Sequence, residues 1–192
     1  MSLRAGATAL GAVLVLLLAG CRRVERAELQ SSRLEIEWSG SAKGHLAGPA
    51  TAEWCDSLKV LQIQVLAGDT GVAIALYPKD VVGPDSYPVV VPAKADSVPP
   101  AAAVALRYFG ETAVKGFQGD SGRVLVRDTA GGRVSGRFSA SLKSATDANR
   151  LRAGGAFHDV RVVRAQRGCV ARRPRPPADS GAPRALPDTG VH

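Results

Sequence analysis

Thiols, imidazoles, and carboxylates set beside hydroxyls are the groups in this 192-residue chain with the raw material for chemistry. The thiols are Cys21, Cys55 and Cys169, and the imidazoles are His45, His158 and His192. Metal binding by Cys55 and Cys169 would need close C-x-x-C spacing or neighbouring histidines, and the sequence has neither. No HxH or HExxH spacing occurs, so no metal ligand and no cofactor is expected. Ser121 lies in Gly119-Asp120-Ser121-Gly122, where a hydroxyl would become a nucleophile if a histidine removed its proton. Asp69 lies in Gly68-Asp69-Thr70-Gly71. Glu35, Glu37 and Glu53 are carboxylates of the kind that cleave glycosides when two are held at a set separation, and their spacing singles out no pair. Gly, Asp, Ser and Thr are also the ordinary residues of turns. With 21 glycines in the chain, the expectation is that Ser121 and Asp69 are turn residues and that no residue is catalytic.

Cys21 stands apart from the other two thiols. It follows an uncharged run from Ala5 to Gly20 that is preceded by Arg4. The run is shorter than the 20 or so apolar residues that span a bilayer, and it reads as a signal peptide. Its end, Leu18-Ala19-Gly20-Cys21, resembles the lipobox of bacterial lipoproteins. The resemblance implies cleavage before Cys21, diacylation of its thiol, and a lipid-anchored place in the cell envelope. Outer membrane or cell surface is expected over cytoplasm, and which membrane stays open, since Arg22 is not the Asp that resembles an inner-membrane retention signal. On this reading residues 1–20 are signal peptide and 21–30 the lipidated cysteine and a charged tether. Residues 31–170 are one domain and 171–192 a disordered Pro- and Arg-rich tail. With Cys21 consumed by lipid, Cys55 and Cys169 are left as a pair in an oxidising compartment, and a disulfide between them is expected.

Three further resemblances are short. Gly119-Asp120-Ser121-Gly122 resembles the nucleophile segment of chymotrypsin-like serine proteases, with His45 and Asp69 earlier in that family's order, but Arg123 replaces the next glycine. Asp69-Thr70-Gly71 resembles the aspartic-protease triplet, whose second copy would have to be Asp188-Thr189-Gly190 in the tail. Leu186-Pro187-Asp188-Thr189-Gly190 resembles the sortase recognition pentapeptide, without the apolar span and basic stop that follow it in that family.

The elements that would position these residues are strands. Leu34, Ile36 and Trp38 alternate with Arg33, Glu35, Glu37 and Ser39, the period-two pattern of a strand with one wet face. Further strands are expected over 41–46, 50–55, 58–66, 72–77, 87–91, 102–108, 122–128, 133–142 and 155–165. Hairpin turns are expected at 68–71 and 129–132, and a helical turn within 141–152. No window has sustained helical period. The fold expected is therefore an all-β, jelly-roll-like antiparallel sandwich of about 8–9 strands, with a closed β-barrel as the alternative.

Lysine and arginine total 25 against 17 acids, and without Arg4 the excess is 24 − 17 = +7. The basic residues are interspersed with acids and an envelope address excludes nucleic acid as a partner. The function expected is a binding or structural module whose partner is an envelope protein, a glycan or a small apolar ligand. Docking is expected on loops 79–87 and 94–100. A hydrolase and a carrier of an apolar ligand are the alternatives.

Overall fold

The computed structural model describes residues 32–110 and 112–165. Nine strands make up most of that span: β1 (Arg33–Gly40), β2 (Gly44–Cys55), β3 (Val60–Ala67), β4 (Thr70–Tyr77), β5 (Asp85–Pro88), β6 (Ala101–Phe109), β7 (Val114–Asp128), β8 (Arg133–Ser144) and β9 (Arg150–Arg164). A single α-helical turn, α1 (Pro92–Ala95), and a 3-10 turn at Ala130–Gly132 interrupt them. Cys21, Cys169, the tether 21–30 and the tail 171–192 lie outside the described residues, as do His192 and the 186–190 pentapeptide.

The all-β expectation holds, but the two-layer sandwich does not form. The strands run in one sheet, β7-β6-β4-β3-β2-β1-β9-β8, and β8 pairs back to β7 to close an eight-stranded antiparallel barrel. The reason lies in long strands that change partners. β7 bonds β6 through 114–118 and β8 through 117–128. β2 bonds β1 through 44–49 and β3 through 50–55. Where β1 begins, β2 reaches past it to bond β9 in parallel at Ala52–Trp54. A strand that serves two neighbours in succession leaves no free edge, and closure removes the edges that a sandwich would expose.

β5 is a wedge in the wall. It pairs with β7 at 123–126, beyond the stretch that β6 occupies, and the Val89–Ala102 bridge ties the next residue to β6. Tyr87 turns inward and is 1% exposed. The loop expected to be a docking surface is therefore partly wall, and Ala95 of α1 is buried against Ala101 and Ala103 on the outside of β6.

An eight-stranded barrel is just wide enough for side chains to fill it. Leu34, Ile36, Ile63, Ile74, Leu106, Phe138, Leu142 and Phe157 meet within, all buried in one cluster. At the end where β1 stops, the rings of Trp38, Tyr108 and Phe117 stack at centroid spacings of 5.8 Å. Apolar residues thus face in and charged ones face out, the reverse of a membrane-spanning barrel. Among the described residues no helix is long and apolar enough to cross a membrane.

Other local expectations change in ways the hydrogen bonds explain. The strands expected at 41–46 and 50–55 are one strand, β2. The span 141–152, expected to hold a helical turn, holds the ends of β8 and β9 instead. The buried Ser144 hydroxyl accepts the amides of Thr146 and Asp147 and closes the turn between them.

Candidate functional site

The singled-out residues do not converge. Asp69 lies in the β3–β4 turn, as expected. Ser121 is not in a turn: the whole Gly-Asp-Ser-Gly segment lies inside β7, at a register shift between Gly119 and Ser121 where one extra residue bulges from the ladder. Gly122 has φ +128°, and a Cβ there would meet the Ser139 carbonyl oxygen. The Ser121 hydroxyl donates to Asp120 at 3.2 Å. His45 is on β2, across the barrel from β7, and His158 is on β9 opposite Arg33. Glu35 and Glu37 alternate on the outside of β1, and Glu53 is exposed on β2. Among the described residues no group of three or more His, Cys, Asp or Glu is placed to hold a metal.

Cys55 ends β2 on the outer face, opposite Val60, in alternation with the exposed Thr51 and Glu53. It is nevertheless only 3% exposed, with its sulfur 3.5 Å from the Ser57 hydroxyl. β9 comes alongside here, and the Ala165 amide donates to the Trp54 carbonyl at 3.0 Å.

What the barrel does gather is positive charge. The outward positions of β7, β8 and β9 form rows across the wall. Leu125, Arg137 and Ala156 are aligned, then Arg123, Ser139 and Gly154, then Ser121, Ser141 and Arg152, then Gln118, Lys143 and Arg150. Arg123 and Arg137 are therefore diagonal neighbours across the β7–β8 pair, a separation of roughly 7–8 Å and somewhat less between Cβ atoms. Together with Gly122, Leu125, Phe138 and Ser139 they line a shallow hollow of about 530 Å³. Arg123, Arg137 and Arg152 are exposed and make no ion pair among the described residues.

One acid enters this face. Asp120, the bulge residue, accepts from Arg150 at 2.7 Å. Its partial burial pushes the carboxyl up, but hydrogen bonds from Arg150 and Ser121 and the Arg150 charge outweigh that and leave it below its ordinary value. At the opposite end of the strands, Arg133 donates to the carbonyl and carboxylate of Asp159. Ser32 locks the same corner: its hydroxyl donates to the Asp159 carbonyl and accepts the Arg161 amide. The chain thus joins the barrel at a fixed point against β9.

The rest of the wall differs in sign. β1 presents Glu35 and Glu37 beside Arg33, and β3, β4 and β6 present Gln64, Ala73 and Ala105, which floor a groove whose one charged lining residue is Arg107. A further hollow of about 360 Å³ at the Trp54 end of the barrel mixes Leu61, Val82 and Val162 with Asp56, Lys59, Asp80 and Arg164. The Trp54 indole donates to Asp56 at 2.8 Å.

No protein-family model, curated protein or solved structure matches this chain. The basic face therefore rests on geometry alone, and sequence reasoning missed it because acids are interspersed along the chain. The signal was there in strand parity. Arg123, then Arg137 and Lys143, then Arg150 and Arg152 all occupy positions of the parity opposite to the inward Val124, Phe138, Leu142 and Leu151.

Proposed function

We propose that this chain is a lipid-anchored protein of the bacterial cell envelope whose barrel is a binding module working through its outer surface. The lipobox-like Leu18-Ala19-Gly20-Cys21 supports the anchor. The observation that carries the mode of action is the packed interior: Ile63, Ile74, Leu106 and Phe157, each no more than 1% exposed, occupy the space in which a carrier would hold its ligand. Chemistry of recognition then falls to the outside, where charge is sorted by strand.

Two measurements test the proposal. Intact mass of the chain extracted from membranes of an expressing bacterium is expected to show an N-terminus at Cys21 with added diacylglycerol; a water-soluble product without acyl mass refutes the anchor. Titration of the folded chain with fluorescent fatty acids is expected to give no saturable binding. Stoichiometric uptake would make it a carrier, and turnover of ester, peptide or glycoside substrates lost on one Ser, His, Asp or Glu substitution would make it a hydrolase.

A further inference from the structure

We infer that the β7–β8–β9 face is a docking surface for an anionic lipid membrane, which orients the barrel side-on beside its own anchor. The inference rests on the anchor reading above and adds to it the partner of a particular face. Its first ground is charge complementarity. Arg123 and Arg137 are diagonal neighbours without a carboxylate between them, and Arg152 shares their face. Both arginines line the same hollow, where an anion bound between them would offset the repulsion of their like charges, and a phosphodiester headgroup matches the guanidinium fork. The half-buried Leu125 and the hydroxyls of Ser121, Ser139 and Ser141 lie among the arginines, and the carboxylates that adjoin the patch are the Arg150-bound Asp120 and, at its β1 margin, Glu37, diagonal to Arg152.

The second ground is the length and attachment of the preceding chain. Ser32 is fastened to β9 by its hydrogen bonds to Asp159 and Arg161, so the anchor-bearing segment leaves the barrel beside this face and not across from it. Residues 21–31 span at most about 35–40 Å when extended. The carboxylates of Glu35 and Glu37 sit on β1, two strands round from β8. In an eight-stranded wall that is about a quarter turn away, so a membrane lying on β8 would not meet them head-on. Opposite β8 is β3, with Gln62 and Gln64 outward.

The test uses the chain from Arg22 onward, which keeps every strand of the closed barrel together with Cys55 and Cys169 and cannot be acylated. Co-sedimentation is measured with vesicles of phosphatidylcholine alone and of phosphatidylcholine with phosphatidylglycerol. Binding to the anionic vesicles only, weakening as salt rises, is expected. The triple variant Arg123→Gln, Arg137→Gln, Arg152→Gln should bind about a hundredfold more weakly, since each cation near such a surface contributes about a factor of five. A control that removes the same charge elsewhere, Lys79→Gln, Lys94→Gln, Arg107→Gln, should stay within about threefold of the parent. Circular dichroism melting identifies any variant that fails to fold, and Lys replacements of the same three arginines then serve as the second set, expected to retain the preference for anionic vesicles. Equal binding to both vesicles, equal loss in the control, or tighter binding to soluble polyphosphate than to vesicles would overturn the inference. Failure of the anchor reading shows separately, as a chain from membranes without acyl mass.

Discussion

Asp120 is the one carboxylate within the arginine-bearing rows, and its geometry says what it is for. Its side chain is 23% exposed and that of its partner Arg150 is 60% exposed. An ion pair so open to water contributes no more than about 1 kcal/mol. Arg150 and the neighbouring hydroxyls hold the carboxyl below its ordinary value despite the burial that opposes them. A depressed carboxylate stabilises the fold above its unfolded pKa, about 3.9, and loses that contribution as pH falls through the lower folded value. Urea titration of Asp120→Asn should therefore show a deficit of about 0.5–1 kcal/mol between pH 5 and 8 that closes below about pH 4. A deficit that persists at pH 2.5 would mean the carboxamide disturbs the bulge itself. Trp38 presents the contrary case. Its indole nitrogen is buried with no hydrogen-bond partner among the described residues, and its ring lies over Gly44, where any Cβ would strike it. Packing, not polarity, fixes that side chain.

At the scale of elements, the bulge in β7 explains both what sequence reasoning found and what it misread. Gly-Asp-Ser-Gly reads as a turn because those residues tolerate unusual backbone angles, and the structure uses that tolerance without reversing the chain. Gly122 takes the positive φ, Asp120 is the extra residue, and β7 continues from its β6 partner to β8 and β5. Replacing Gly122 by Ala would force a Cβ into the backbone of Ser139 and Ala140 at a φ that L-residues avoid. The expected loss is more than about 3 kcal/mol, read from denaturant melts. Ser121→Ala removes only an exposed hydroxyl bonded to Asp120 and should cost less than about 0.5 kcal/mol. If the two variants were equally damaging, the bulge would not be what Gly122 supplies. The period-two patterns of β1, β3, β4 and β8 were legible because one face of each is core and the other is water. The first half of β7 was not, because Lys115, Gly116 and Gln118 give no alternation beyond Phe117. β5 carries Pro88, which lacks a ladder donor, and it pairs along its length with β7 alone, yet the inward Tyr87 makes it part of the wall.

Across the whole molecule, strand content was legible and closure was not, since no local pattern states which strands share partners. Both arrangements bury the same alternating residues, and what decides between them is long-range: β7 and β9 are each fifteen residues and bend across two neighbours. The same long-range geometry bears on the thiols. Cys55 is buried on a face where its strand neighbours are exposed, and the Ala165 amide is bonded to the carbonyl of the residue before it. Cys169 follows Ala165 by four residues, a span of about 13–14 Å when extended, so the expected Cys55–Cys169 disulfide lies within reach of the chain. It would tie the end of β2 to the segment after the last strand and close a loop of more than 100 residues, for which chain entropy gives about 4.7 kcal/mol. The barrel is already closed by β7–β8 pairing, so the bond is not needed to define the topology. Cys55→Ser with Cys169→Ser should therefore fold to the same circular dichroism spectrum but melt well below the parent, and dithiothreitol should lower the parent's midpoint and leave the variant's unchanged. Peptide mapping without reductant should recover the two half-cystines linked. Two free thiols in the oxidised, folded chain, or a parent midpoint indifferent to reductant, would remove the disulfide and leave that corner to the hydrogen bonds between β2 and β9.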